Sequence, residues 1–316
     1  MTSMVSVSQF VNLAALSRAG KVESVHQGVA AVTRPDGVII DALGDATVSI
    51  FPRSAVKPLQ VVAMRRAGLK LKGAKLAITA GSHQGTPEHI QLVLEILASV
   101  GLDDSALQCP VAWPASPEAR KSASAETTLA FNCSGKHAGF LAACIESGWD
   151  TKSYLDPSHP LQVLVKQVLE EYSGEDIELS TVDGCGAPLH TITPAGLARA
   201  FGTLAKSEPE ISAAMLNNAW AVGGQNSPDK IVMQEGIVAK LGAEGVFALG
   251  LASGPSAGAG VAVKIADGAL RAAPLVAIKL LKKHQMISGA SYSRLETALA
   301  VESMGGGHVL GHLTAL

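Results

Sequence analysis

Aromatic side chains are scarce in this chain: Phe, Trp and Tyr make up 4% of its 316 residues, while hydrophobic residues reach 47%. A core with so few rings must be packed from aliphatic and small residues, and 32 glycines imply many tight turns. Charge of one sign is also missing, the formal net charge being -2. There is no basic stripe, which excludes nucleic acid as the main partner. Lys279, Lys282, Lys283 and His284 read first as cations that favour a helix C-terminus. Long apolar runs are absent as well. The least charged stretch, Val246 to Val263, is broken by Gly250, Gly254, Pro255, Gly258 and Gly260. It reads as two buried strands and a loop, so no membrane association is expected. Met1 to Leu16 lacks a basic n-region and carries polar Ser and Gln. No targeting segment is expected there, and the expected location is cytoplasmic. The four cysteines, Cys109, Cys133, Cys144 and Cys185, are then expected as reduced thiols or metal ligands, not disulfides.

Turn chemistry sets the order of elements. Val29–Val32 and Val38–Asp41 flank Arg34-Pro35-Asp36-Gly37 and predict a hairpin. Ser54–Ala67 predicts a helix closed by Gly68. Lys75–Thr79 reads as a buried strand running into a loop, Gly81 to Gly85. Thr86 and Pro87 then suit the start of a helix that Gly101 stops. A polar loop covers Pro110–Thr127. Helices are predicted over Gly135–Ser147, Pro160–Tyr172, Pro194–Lys206 and Pro209–Ala221, with a strand at Ile177–Val182. Strands return at Ile237–Lys240, Val246–Leu251 and Gly260–Ile265. A hairpin-type turn at Asp267-Gly268 and a helix over Leu270–His284 follow. Early and late strands around a helical block predict an α+β fold: an antiparallel sheet flanked by helices, with a helical lobe. Residues 1–316 are read as one composite domain, its sheet lobe from about 20–50 and 230–284. The site is expected where sheet and helical lobe meet.

Four groups of residues can carry chemistry. Ser54-Ala55-Val56-Lys57 puts a hydroxyl and an amine on one helix face, and a buried lysine can lose its proton and act as base to a serine. Ser82 follows a buried segment in a glycine-bounded loop, where a turn serine and an active-site serine look alike. Cys133 and Cys185 sit in tight polar turns, Asn132-Cys133-Ser134-Gly135-Lys136-His137 and Asp183-Gly184-Cys185-Gly186. Cys144 lies instead in the apolar run Leu141–Ile145 and reads as core. Two such thiols suit zinc, although their spacing is not C-x-x-C and two ordinary thiols or a disulfide remain open. Lys264 alternates with Val263 and Ile265, so it faces away from them, toward either solvent or a partner.

Six blocks occur in order: Phe51 to Pro58, Ser82 to His89, Asn132 to Gly139, Asp183 to Pro188, Lys240 to Gly245 and Ala262 to Gly268. The set resembles the thermolabile, rhizobial-type, zinc-containing L-asparaginase family over roughly Val25 to His284. The resemblance implies a serine β-lactamase-like fold, a homodimer and a small-molecule substrate, L-asparagine. It implies two Ser-Lys tandems, Ser54 with Lys57 and Ser82 with Lys264. It implies Zn2+ held by Cys133, Lys136 and Cys185 with water. Because a lysine ligand must be neutral, metal binding should weaken as pH falls. Asp183 matches a residue near the metal's water, and Arg53 and His83 are expected beside the substrate, with His137 either there or structural. Where relatives carry a Thr-Gly-Arg-like stretch, this chain reads Gly223 to Lys230, which assigns no residue to the substrate's α-carboxylate. The tail Ser288–Leu316 lies outside the resemblance.

The expected reaction is acyl transfer. Ser54, deprotonated through Lys57, attacks the amide carbon, ammonia leaves, and water hydrolyses the aspartyl ester. Ser82 and Lys264 orient groups or relay protons, and backbone N–H groups near the serines hold the oxyanion. Other S-x-x-K hydrolases, acting on glutamine, a β-lactam or a peptide, are the rival enzymes. Against the lactam reading, neither S-D-N nor K-T-G is found. A non-catalytic zinc-binding sensor is the third reading.

Overall fold

The computed structural model describes residues 6–316, so the reading of the first five residues as free of a targeting signal lies outside the described residues. Strands β1 (Val11–Arg18), β2 (Lys21–Thr33) and β3 (Ile39–Leu43) open the chain. The hairpin across Arg34–Val38 forms as predicted, with Ala30 opposite Leu43 and Thr33 opposite Ile39. A 3-10 turn at Arg53–Val56 continues into α1 (Lys57–Arg66). Next come α2 (Gly73–Thr79), α3 (Pro87–Ser99), α4 (Pro117–Ser122), α5 (Ser134–Ser147) and α6 (Pro160–Ser173). A short hairpin, β4 (Ser180–Val182) with β5 (Pro188–His190), precedes α7 (Pro194–Ser207), α8 (Pro209–Asn217), α9 (Ala219–Gly223) and α10 (Pro228–Met233). Strands β6 (Ile237–Gly242), β7 (Val246–Leu251) and β8 (Gly260–Ile265) return, then α11 (Ala273–Lys283), α12 (Gly289–Ala298), β9 (Glu302–Gly305) and β10 (His308–Ala315).

Eight strands make one antiparallel sheet in the order β6-β7-β8-β2-β1-β10-β9, with β3 beside β2. The fold is mixed α+β, as expected. Every residue of β7 is buried, which requires cover on both sheet faces. Helices α7 and α11 both pack on β7 and β8. On α7, Leu197, Phe201 and Leu204 are fully buried at helical spacing, each contributing about 1.5–3 kcal/mol of apolar burial. Glycine lets α7 come this close: a Cβ on Gly260 would stand 1.9 Å from the Ala198 carbonyl oxygen. Thr86 caps α3 in a box with His89, and Pro87 opens its first turn.

Two expectations fail, each for a physical reason. Lys75–Thr79 is helix α2, not a strand: a short buried apolar run carries no period, and its packing against α3, α5 and α8 decided the outcome. The turn at Asp267-Gly268 leads, as predicted, into a helical segment that runs from Leu270–Ala272 through Ala273–Lys283. The sheet also reaches further than predicted, because β1 pairs with the tail strand β10, Leu16 opposite Leu313. Only Leu313 and Ala315 of β10 are buried, so its alternation is too weak to read. No helix among the described residues is long and apolar enough to cross a membrane.

Candidate active site

Pro52 ends the approach to the 3-10 turn, and Arg53 begins it with φ +52, a left-handed backbone uncommon for a residue with a side chain. Such strain costs about 1–3 kcal/mol and persists only where the surroundings enforce it. Edge strand β6 supplies that constraint. A Cβ on Gly242 would lie 2.3 Å from the Pro52 carbonyl oxygen, so only glycine lets the strand reach the turn. Ser54 follows, half-buried. Lys57, at i+3, turns inward and is 1% exposed.

The Lys57 amine is 2.5 Å from the Gly81 carbonyl oxygen and 2.9 Å from Ser82 Oγ. The hydroxyl that Lys57 contacts is therefore that of Ser82, 25 positions along the chain. Burial lowers the pKa of Lys57 by penalising the ammonium, and the cations of Lys240 and Lys136 push the same way against the nearby Cys133 sulfur.

Ser82 is held by its backbone. Its N–H donates to the Val222 carbonyl at 2.7 Å, and the next N–H, of His83, donates to the Asn132 carbonyl at 3.1 Å. Both donors are thus spent, which removes the Ser82 N–H from the expected oxyanion site. His83 also departs from its expected place beside the substrate. It is 1% exposed, its Nδ1 accepts from the Gly85 N–H at 3.1 Å, and its Nε2 lies 2.9 Å from Ser134 Oγ. With both ring nitrogens engaged, it stiffens the Ser82 loop.

Cys133 caps the start of α5, and Cys185 sits in the β4–β5 turn. That turn folds back so that Lys136, one turn into α5, donates to Cys185 Sγ at 2.9 Å. All four cysteines are free and buried, in line with the expectation of reduced thiols. Cys133 is the more acidic thiol: the Cys185 thiol beside it lowers its pKa well below the usual range, against burial, and Lys57 and Lys136 add to this. Cys185 is raised by the same contact and by burial. Cys144, inside α5, is pushed up to about 12 by burial, as a core thiol should be. Among the described residues no group of three or more His, Cys, Asp and Glu side chains gathers as a metal cage. A metal here would take its third donor from Lys136. Two sulfurs and a nitrogen, buried together, are the donor types zinc favours, so these residues fit it.

Lys264 does not reach Ser82 as the second tandem required. It is half-buried on β8, and its amine donates to the Glu244 carbonyl. It lines a cavity of about 790 Å³ with Arg53, Asp183, Glu244 and the apolar Ile50, Phe51 and Leu189. Arg53 Nε donates to Asp183 Oδ1 at 2.7 Å. Burial alone would raise the Asp183 pKa, but the Arg53 bond and the Gly184 N–H outweigh it and hold the carboxyl ionised. The cavity wall therefore presents a fixed cation beside a fixed anion.

One buried pair escaped the sequence reading. Lys240 and Asp229 are 0% exposed, with Nζ 3.2 Å from Oδ2, and Asp229 Oδ1 accepts the Leu241 N–H at 2.7 Å. A lysine inside the apolar run Ile237–Leu241 was the available signal, the same one that singled out Lys264.

A family model described as L-asparaginase II matches residues 14–315, tail included. No curated protein matches the chain significantly. Among solved structures, Mglu in its glutamate form aligns at 12% identity and a TM-score of 0.47. The alignment covers 82% of this chain and 61% of that one. A β-lactamase from Mycobacterium bovis aligns at 16% identity and a TM-score of 0.35, over 81% of this chain and 94% of that one.

Proposed function

We propose that this chain, which belongs to the L-asparaginase II family, hydrolyses the side-chain amide of L-asparagine with a serine that Lys57 deprotonates. The observation that carries this is the fully buried amine of Lys57 at 2.9 Å from Ser82 Oγ. Desolvation favours the neutral amine, whose lone pair can take the Ser82 proton while an N–H stays on the Gly81 carbonyl. Ser82 then attacks the amide carbon, the amine returns its proton to the leaving ammonia, and water hydrolyses the ester by the same base. An α-amino acid carries one carboxylate and one ammonium, and the Arg53–Asp183 pair on the cavity wall offers the complementary charges. Lys264, on the same wall, adds a second cation for the substrate.

Zn2+ is the cofactor of this reading, with Cys133, Lys136 and Cys185 as its ligands. When bound it would supply a fixed positive charge beside the serines. Lys136 must then give up its proton. Its pKa is raised, the two cysteine sulfurs outweighing burial, so zinc binding is expected to release that proton and to weaken in acid. A homodimer in the cytoplasm belongs to the same reading.

A second assignment exchanges the serines. The strained Arg53 immediately before Ser54 favours Ser54 as the nucleophile, with Ser82 passing protons to Lys57. Acid-quenching the enzyme during turnover of asparagine and mapping the aspartyl ester by peptide mass decides between them. An ester on neither serine, in an enzyme that releases ammonia, overturns the covalent mechanism.

A further inference from the structure

Among the described residues, strand β6 closes one edge of the sheet and pairs with β7 alone. An edge strand leaves backbone groups unpaired on its outer side, and at Leu241 side chains take both of them. The Leu241 N–H donates to Asp229 Oδ1 at 2.7 Å, and the Leu241 carbonyl accepts from Lys240 Nζ at 2.9 Å. Nζ also lies 3.2 Å from Asp229 Oδ2, and both side chains are 0% exposed. Asp229 belongs to the first turn of α10, and Ser227 is the N-cap of that helix. Both residues crowd the backbone just before it: a Cβ on Gly223 would stand 2.4 Å from Ser227 Oγ and 3.1 Å from Asp229 Oδ2. Ser227 Oγ donates to the Gly224 carbonyl at 3.2 Å. The residue before Gly223 is Val222, whose carbonyl takes the Ser82 N–H at 2.7 Å. Gly81 admits that carbonyl, since a Cβ there would lie 3.0 Å from it. One residue beyond Leu241, Gly242 lies against Pro52 and Ala55, in the turn that delivers Lys57.

We propose that Asp229 and Lys240 form a buried brace that sets Ser82 against Lys57, with the end of β6 as the common reference for both. On one side, Lys240 and Leu241 hold α10 through Asp229, and Ser227 and Gly223 pass that hold to the carbonyl that carries Ser82. On the other side, Gly242 holds the turn that carries Lys57. The 2.9 Å contact between Lys57 Nζ and Ser82 Oγ is the point where these two sets of packed segments close on each other. Desolvation offsets much of the attraction within a buried pair of this kind, so its effect is read from what it fixes in place. Asp229 and Lys240 are positioning residues, acting through backbone and not on the substrate. A misplacement of about 1 Å, caused far from the reacting atoms, can cost about 10²-fold in rate. This inference rests on the reading of Lys57 as the base of Ser82.

The test uses the full chain: wild type, Asp229→Ala, Asp229→Asn and Ser227→Ala. Ammonia release from asparagine gives kcat and KM well below each variant's Tm. Asp229→Ala is expected to lower kcat by about 10- to 100-fold with KM nearly unchanged. Asp229→Asn keeps the acceptor for the Leu241 N–H and is expected to recover part of that loss. Ser227→Ala leaves no charge unpaired, so it keeps the test in hand should Asp229→Ala fail to fold; its loss is smaller and again confined to kcat. A crystal structure of Asp229→Ala, or of Ser227→Ala in its stead, is expected to show Lys57 Nζ and Ser82 Oγ further apart than in wild type. Wild-type kcat with only a lower Tm in that variant overturns the brace and leaves the proposed reaction standing. A wild type that releases no ammonia from asparagine, beside a variant in which the two side chains have separated, overturns the asparaginase reading and leaves the brace standing.

Discussion

Replacing Lys57 with Met separates the chemistry of this site from its packing. Lys57 is 1% exposed, and its amine touches the Gly81 carbonyl and Ser82 Oγ at 2.5 and 2.9 Å. Met has nearly the same length and no proton to accept. Loss of a positioned base lowers turnover by about 10²- to 10⁴-fold, or ~2.7–5.5 kcal/mol of transition-state stabilisation. Stability should change much less, because two opposing effects meet. The Gly81 carbonyl loses a partner, at about 1–3 kcal/mol. Removal of a buried neutral amine returns a desolvation cost of about 1–3 kcal/mol. At about 2–4 °C per kcal/mol, Tm should stay within about 5 °C of wild type. Lys57→Arg supplies the control: it keeps a cation that never loses its proton, so it should be as inactive as Lys57→Met. The assay is ammonia release from asparagine at saturating substrate, with a thermal melt of each variant. A folded Lys57→Met enzyme retaining more than a tenth of wild-type kcat would refute the assignment of Lys57 as base.

Further outcomes follow from the same geometry. Cys133→Ala/Cys185→Ala should abolish zinc content measured by mass spectrometry, whereas Cys144→Ala, a core thiol, should leave it unchanged; equal zinc in all three proteins would remove the site. Gly260→Ala should lower stability by more than ~3 kcal/mol, because its Cβ would stand 1.9 Å from the Ala198 carbonyl and α7 would have to move; a denaturant midpoint like that of wild type would contradict this packing. Glu235 is held at about 2 by the Arg294 guanidinium, which outweighs burial, so its folded pKa lies below the unfolded value. Its contribution is therefore full above about pH 4.5 and is lost as pH falls toward 2. With Arg294 largely exposed it amounts to no more than about 1 kcal/mol, so Glu235→Gln should cost that much at pH 7 and nothing near pH 2, read by thermal melts. Turnover of glutamine should run about 10- to 200-fold below that of asparagine, since one methylene is all that separates them.

Local chemistry was legible wherever a residue acts through its own chain neighbours. The Pro-Asp-Gly hairpin, the Thr86-Pro87 helix start, the buried strands β7 and β8 and the burial of Cys144 follow from turn geometry and apolar pattern. Six ordered motifs also carried the family, and with it Ser54, Lys57, Ser82, Cys133, Lys136 and Cys185 as residues to watch. Partnership was another matter. Four residues separate Lys57 from Pro52, and both were readable there, but the hydroxyl that Lys57 meets lies 25 positions on. Lys264, assigned to that hydroxyl, points instead at the Glu244 carbonyl. His83, read as facing substrate, spends both nitrogens on its own scaffold.

The sequence alone thus determined most of the element order between β2 and α11, the aliphatic character of the core and the residue types able to do acyl-transfer chemistry, because these depend on backbone preference, period and pKa. Tertiary structure decided which serine hydroxyl Lys57 contacts, how Lys136 reaches Cys185, and that strand β10 closes onto β1 from the far end of the chain. Those outcomes depend on the approach of distant segments to within a few ångströms. Such contacts are set by packing, through features such as Gly242 against Pro52, and leave no periodic trace along the chain.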